Sequence, residues 1–196
     1  QNQHNLIPSL ETIGTKTILF SIYLGSMLTI GWPLLFAINF NSYYIIGHAF
    51  IRGGNIIPII VLSYLFYGIF ILQMPSIYLK NKQRWVPLFW GAGFFINVCA
   101  NAYLIPKYGI YGAASATLLA YLSMAILLIY KNSVWMRIKY NNVPILLFSC
   151  VSILACFVSL KIASFPWCLW LAFTAYSLLG GFFLIYILKT YFPSEK

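Results

Sequence analysis

The residues that could do chemistry in this sequence are few, and most of them are neutral. Asn97 and Asn101 stand four residues apart, which places both amides on one face of a helix. Gln73 lies within another apolar run, and Arg52 and Lys107 are isolated cations between apolar runs. An amide can hydrogen-bond a polar substrate or a neighbouring helix, whereas a cation can attract an anionic group, contact lipid headgroups or set orientation. These five residues are therefore the candidate substrate-binding positions.

Acidic groups and imidazoles are too scarce for a catalytic or metal centre. Glu11 and Glu195 are the only carboxylates, and both are expected outside the apolar runs, so carboxylate-pair catalysis and Mg²⁺ binding lack their usual residues. His4 and His48 are isolated, which argues against a metal cluster and against a Ser–His–Asp arrangement. The cysteines show no paired spacing; they are Cys99, Cys150, Cys156 and Cys168. The sequence predicts no catalytic residue, no metal, no cofactor and no enzymatic activity.

The elements that carry these residues are six long segments without any charge. The sequence is 62% hydrophobic and 7% charged, whereas about a quarter of the residues in soluble proteins are charged. Each segment is at least as long as the roughly 20 residues that cross a bilayer core, and too continuously apolar for a barrel strand. The predicted fold class is an all-α integral membrane bundle of about six transmembrane helices. The helices are expected near Thr17–Phe40, Asn55–Leu79, Trp85–Ile105, Tyr108–Tyr130, Val143–Leu160 and Pro166–Leu188.

The basic residues lie in the connections between these segments, including an expected basic loop at Lys131–Asn142. The net charge is +10, but the cations are scattered and do not form a stripe, which argues against nucleic acid as a partner. With alternate connections assigned to one side, nine cations lie on that side and three on the other. The positive-inside rule then predicts that both ends are cytoplasmic. The nine are Lys16, Lys80, Lys82, Arg84, Lys131, Arg137, Lys139, Lys189 and Lys196, and the three are Arg52, Lys107 and Lys161.

Prolines and glycines predict where these helices bend and turn. Pro33, Pro58 and Pro75 lie within predicted spans and are expected to kink them, because proline removes a backbone hydrogen bond. Pro106 disfavours helix at Ile105, and glycine can adopt backbone angles that other residues avoid. The Pro106–Gly109 segment is therefore expected to be the tight outer turn of a helical hairpin.

After this turn, small residues recur at four-residue intervals. Gly112, Ala116 and Ala120 form a strip along one face of the predicted helix. Another helix can approach such a strip closely, so its interpretation is helix packing.

Three sequence features resemble a known family of membrane transporters. They are Gly53–Pro58 entering a helix with Tyr64 and Gly68, the basic Lys80–Lys82 loop, and Asn101–Gly109 (NAYLIPKYG) followed by Gly112–Ala114 and Ala116–Thr117. Over residues 1–139 the chain resembles the C-terminal portion of the polysaccharide biosynthesis and export proteins. These proteins are the O-antigen-flippase-like branch of the multidrug/oligosaccharidyl-lipid/polysaccharide exporter superfamily.

The resemblance implies a flippase for the synthesis of cell-surface polysaccharide such as lipopolysaccharide or exopolysaccharide. Such a protein moves undecaprenyl-pyrophosphate-linked oligosaccharide across the bacterial inner membrane, through a cleft between two helical lobes. The implied partners are the lipid bilayer, the lipid-linked oligosaccharide substrate and a missing N-terminal lobe.

The expected organisation has three parts. A cytoplasmic segment occupies 1–16, a family-like transmembrane region of four helices occupies 17–139, and two further transmembrane helices with a short cytoplasmic tail occupy 140–196. Two alternative functions stay open: multidrug or cation efflux by a related transporter, and a non-transporting membrane scaffold in polysaccharide assembly.

Overall fold

Helices account for nearly all of the structure. The computed structural model describes residues 2–37, 39–40, 43–44, 51–136, 138–162 and 166–192. In hydrocarbon, backbone amides must be satisfied within the segment, and an α-helix does this for an apolar run. The helices are α1 (Asn2–Ala37), α2 (Ile51–Gly54), α3 (Ile57–Gln73), α4 (Pro75–Leu79), α5 (Val86–Tyr108), α6 (Ile110–Trp135), α7 (Asn142–Ile162) and α8 (Pro166–Tyr191). A short antiparallel pair joins Asn39–Phe40 to Tyr43–Tyr44, and a 3₁₀ turn covers Gln83–Trp85.

Five helices in the described part of the chain are long and apolar enough to cross a membrane. These stretches are Ile7–Leu35, Ile57–Leu79, Gln83–Tyr108, Ile110–Trp135 and Trp167–Tyr191. The remaining predicted span corresponds to α7, whose described apolar stretch, Asn142–Val158, is shorter. The prediction of an all-α membrane bundle is confirmed, and the chain is an integral membrane protein.

The first helix begins well upstream of its predicted start. α1 begins at Asn2, although the sequence places the first span at Thr17. Ile7, Leu10 and Ile13 recur at helical spacing and continue the apolar pattern upstream. Glu11 therefore lies inside the apolar stretch Ile7–Leu35, where the sequence predicts no carboxylate.

The predicted hairpin is formed by α5 and α6, with a shorter turn than expected. α5 continues through Pro106 to Tyr108, so Gly109 alone separates the two helices. Proline removes only its own hydrogen bond, and the Gly109 amide closes the last turn by donating to the Ile105 carbonyl at 2.8 Å. Beyond the turn, the small residues at the strip positions Gly112, Ala116 and Ala120 are all buried.

A side chain at Gly109 is expected to strain the backbone. Its φ of 54° and ψ of −126° lie in a region that only glycine adopts readily, although a Cβ there would meet no atom within 4 Å. Gly109→Ala should therefore lower the free energy of unfolding by about 1–2 kcal/mol through backbone strain alone. Denaturant-induced unfolding in detergent measures this, with Gly68→Ala as the control, since Gly68 is helical and also meets nothing. Equal stability of the two variants would contradict the prediction.

The structure divides into two compact units. The first unit comprises Gln1–Gly14 and Pro58–Tyr140, and the second comprises Thr15–Ile57 and Asn141–Lys196. The core of the first unit is built from α3, α4, α5 and α6; it contains Phe70, Ile77, Phe89, Met124, Ala125 and Leu128. The core of the second unit is built from α1, α7 and α8; it contains Leu19, Phe148, Leu184 and Ile187.

Hydrogen bonds of side-chain hydroxyl groups connect the three long helices of the second unit. The Tyr176 hydroxyl lies 2.5 Å from Ser26 Oγ and 2.9 Å from Ser152 Oγ, and all three side chains are buried. The Tyr23 hydroxyl donates to the Ser177 carbonyl at 2.8 Å. Each phenol in this network therefore has a protein partner.

Removing the Tyr176 hydroxyl should weaken the second unit modestly. Tyr176→Phe loses two buried hydrogen bonds, and interhelical bonds in membrane proteins contribute about 0.6 kcal/mol each, so we expect a loss of about 1 kcal/mol. Tyr186→Phe is the matched control, because the Tyr186 side chain is exposed on the same helix. Thermal unfolding in detergent should show a lower midpoint for Tyr176→Phe alone, and identical midpoints would contradict the assignment.

Candidate functional site

The helix that spans the first unit is interrupted at Pro75. Pro75 has no N–H, so the Ile71 carbonyl accepts instead from the Met74 amide at 3.0 Å. The Ile77 amide then donates to the Met74 carbonyl at 2.9 Å, so the backbone tightens locally to a 3₁₀ pattern. As a result, the Gln73 carbonyl loses its helical donor.

Three side chains satisfy the polar groups at this break. Asn132 on α6 donates from Nδ2 to the Gln73 carbonyl at 3.0 Å and to Gln73 Oε1 at 2.7 Å. Ser76 Oγ lies 2.7 Å from the same carbonyl and 2.6 Å from Asn132 Oδ1, so its single proton is shared between two acceptors. Gln73, Ser76 and Asn132 are 3%, 0% and 2% exposed. We call this group the amide cluster.

The surroundings of the amide cluster are apolar. Phe70, Ile77 and Leu128, which neighbour its members along α3, α4 and α6, are all fully buried. Because a buried hydrogen bond is stronger in a medium of low dielectric, the cluster fixes α4 against α6 with neutral groups only. It can hold a broken helix in place, but it contains no acid or base for proton transfer.

The two asparagines of α5 bond to each other within one helix. Asn101 Nδ2 donates to Asn97 Oδ1 at 2.9 Å, and both side chains are partly buried. This bond therefore lies within α5 and does not join it to another helix. Asn101 Oδ1 is buried and has no hydrogen-bond partner among the described residues.

The two candidate cations differ in what the structure shows. Lys107 Nζ lies 3.8 Å from the centroid of the Tyr103 ring at the C-terminal end of α5, in cation–π geometry. Arg52 belongs to α2, and its side chain lies outside the described residues. Within the first unit, Gln73 is part of the amide cluster, whereas Lys107 and the Asn97–Asn101 pair occupy separate positions along α5.

The three candidate kink prolines also differ from one another. Pro75 separates α3 from α4, whereas Pro33 lies inside α1, which continues to Ala37. Pro58 lies in the first turn of α3, where a missing N–H costs nothing, so it marks a helix start in place of the expected kink.

Four aromatic side chains from three helices meet beside the core of the first unit. The Tyr67 ring centroid is 4.9 Å from that of Tyr121, 6.0 Å from that of Trp90 and 6.3 Å from that of Tyr64. Tyr64 and Tyr121 are 5.8 Å apart. Tyr64 is 58% exposed and Trp90 43% exposed, so part of this aromatic patch is open.

Sequence reasoning finds Gln73 and Pro75 but misses Ser76, Asn132 and the aromatic patch. Asn132 falls in the expected basic loop, yet α6 continues to Trp135 and carries Asn132 inward. The sequence does contain a signal for Asn132, because Met124, Leu128 and Asn132 stand four residues apart on one helix face, and all three are buried. The aromatic patch has no comparable signal, since it assembles from three separate helices.

The first unit thus combines a neutral, hydrogen-bonded helix break with an uncharged aromatic patch. In the part of the chain that the structure describes, no group of three His, Cys, Asp or Glu side chains is arranged to hold a metal ion. No family model, curated protein or solved structure matches this chain.

Proposed function

We propose that this chain is part of a flippase that moves a lipid-linked oligosaccharide across the bacterial inner membrane for cell-surface polysaccharide synthesis. The observation that carries the proposal is the break between α3 and α4, where Gln73 and Asn132 form a neutral polar cluster inside an apolar bundle. Many membrane transporters interrupt a helix near the cargo site, where the break provides a point of bending, and here Ser76 and Asn132 satisfy the polar groups that the break leaves open.

The polar groups of the first unit suit a sugar headgroup better than a charged drug. Its helices α3, α5 and α6 offer amides, hydroxyls and aromatic rings and contain no Asp or Glu, and the one carboxylate of the first unit, Glu11 on α1, accepts a hydrogen bond from the Lys139 amide at 2.7 Å. A hydroxylated headgroup can exchange hydrogen bonds with such groups, whereas an organic cation gains most from a carboxylate. The alternative of cation efflux therefore has less support than oligosaccharide translocation.

The anionic link of such a cargo can be attracted by lysines at the ends of the hairpin. Lys107 lies over Tyr103 at the turn, and Lys131 Nζ lies 4.6 Å from the Trp85 centroid near the opposite end. Held over rings, these side chains remain close to the helices while their charges stay available to a diphosphate. Nine cations on one side and three on the other support cytoplasmic positions for both ends.

A translocation assay tests this proposal. The full-length protein that carries this chain is reconstituted into proteoliposomes with a fluorescent polyprenyl-diphosphate oligosaccharide, and an impermeant quencher reports its transfer between leaflets. We expect protein-dependent transfer that exceeds the rate in protein-free liposomes. Equal rates with and without protein would overturn the proposal, and protein-dependent movement of ethidium in the same vesicles would favour efflux instead.

A further inference from the structure

We propose that the aromatic patch is a subsite that binds a sugar ring of the cargo. This inference rests on the proposed flippase function and names the surface that contacts the oligosaccharide. The patch consists of Tyr64, Tyr67, Trp90 and Tyr121, contributed by α3, α5 and α6.

The phenol hydroxyls of the patch have no hydrogen-bond partner in the part of the chain that the structure describes. Neither Tyr64 nor Tyr67 nor Tyr121 makes a hydrogen bond with any described residue, whereas Tyr23 and Tyr176 of the second unit are both hydrogen-bonded. All three patch tyrosines lie in stretches long and apolar enough to cross the membrane. A hydroxyl left unpaired in hydrocarbon is costly, so three of them on one surface indicate a polar occupant.

The rings of the patch require that the occupant also has an apolar face. Tyr67 and Tyr121 are partly buried and fixed by a 4.9 Å ring contact, while the more exposed Tyr64 and Trp90 flank them. Aromatic rings present flat apolar surfaces with a partial negative charge, which attract C–H groups as well as cations. The ligand must therefore combine an apolar face with hydroxyl groups at its edge.

Charge disfavours a cation as the occupant of this surface, and hydrogen bonding disfavours an acyl chain. A cation is disfavoured because the chain has a net charge of +10 and α3, α5 and α6 contain no carboxylate. An acyl chain would cover the rings but leave the three hydroxyls unpaired. A sugar ring stacks its C–H face on an aromatic side chain and exchanges hydrogen bonds with tyrosine hydroxyls, so it satisfies both requirements.

A photocrosslinking experiment on the full-length protein in nanodiscs tests the subsite. The probe is a polyprenyl-diphosphate disaccharide with a diazirine on one sugar, and adducts are located by mass spectrometry. We expect adducts around Tyr64 and Tyr121, displaced by excess unlabelled disaccharide lipid but not by polyprenyl diphosphate without sugar.

Matched variants separate hydrogen bonding from stacking. Tyr64→Phe and Tyr121→Phe keep the rings and remove one oxygen each. In each variant, the concentration of unlabelled disaccharide lipid that displaces the probe should rise by about fivefold. Tyr64→Leu also removes the exposed ring and should raise this displacing concentration by about tenfold or more. Tyr130→Phe and Tyr130→Leu are controls, because Tyr130 is an exposed tyrosine of α6 outside the patch. Thermal unfolding of every variant verifies that the fold is intact.

The possible outcomes distinguish the subsite from the proposed function. Normal sugar-dependent labelling in all tyrosine variants would overturn the subsite while leaving the flippase proposal in place. Labelling at the patch without translocation in proteoliposomes would overturn the flippase proposal and leave the subsite. The absence of any sugar-dependent competition in the unmodified protein would overturn both.

Discussion

Replacing Asn132 with alanine should destabilise the protein by about 2–3 kcal/mol in detergent. Asn132 makes three hydrogen bonds: two donated to Gln73 and one accepted from Ser76. Its loss leaves the Gln73 carbonyl with the Ser76 hydroxyl alone and leaves Gln73 Oε1 without its bond to Asn132. The side chain is 2% exposed, so water cannot readily replace these bonds. The free energy of unfolding, measured by titration with a denaturing detergent, gives the effect.

The neighbouring serine provides the control for this prediction. Ser133 is exposed and donates only to the Tyr130 carbonyl one turn back, so Ser133→Ala should change stability by a few tenths of a kcal/mol at most. If Asn132→Ala proved as stable as Ser133→Ala, the amide cluster would not hold α4 against α6.

Gly112→Ala should also destabilise the protein by about 2–3 kcal/mol, for a steric reason. A Cβ on Gly112 would overlap the carbonyl oxygen of Leu104 and lie 2.9 Å from the Ile105 amide nitrogen. These are backbone atoms of α5, which cannot move aside without opening the hairpin. The prediction is measured by thermal unfolding, and a crosslink between cysteines introduced on α5 and α6 near the turn should form more slowly.

Two glycines of α5 make a graded comparison with Gly112 of α6. The atoms nearest to a Cβ on Gly93 belong to the flexible Met124 side chain, and a Cβ on Gly91 would meet nothing within 4 Å. Gly93→Ala should therefore cost less than Gly112→Ala, and Gly91→Ala should be neutral or slightly stabilising. An equal loss for all three variants would show that backbone contact does not govern this hairpin.

The existence of the long helices could be predicted from the sequence, but not where they end. Charge-free runs locate the hydrocarbon core, because a charge within it is costly. A charge does not end a helix, however. α6 passes Lys131 and reaches Trp135, since Lys131 can place its ammonium over the Trp85 ring while the backbone stays helical. Glu11 is a second charge that does not end its helix, since it lies within α1.

The candidate site could be predicted only in part. Gln73 and Pro75 are conspicuous in an apolar run, because one is polar and the other interrupts helical hydrogen bonding. The hydrogen-bond partner of Gln73 could not be predicted, since Asn132 is 59 residues away and its role depends on how α6 packs beside α4. Asn97 and Asn101 were correctly placed on one face, yet the bond between them within α5 could not be distinguished from bonds to another helix.

The position of the lysines on the α5–α6 hairpin determines how it responds to a transmembrane voltage. Between Lys107 and Lys131 on α6, and between Arg84 and Lys107 on α5, the sequence contains no ionisable cation or carboxylate. An electric field does work only on charge that it displaces, about 2.3 kcal/mol per elementary charge for 100 mV. Tilting this hairpin within the membrane therefore moves almost no gating charge, and any voltage-dependent signal of the protein must originate outside the hairpin.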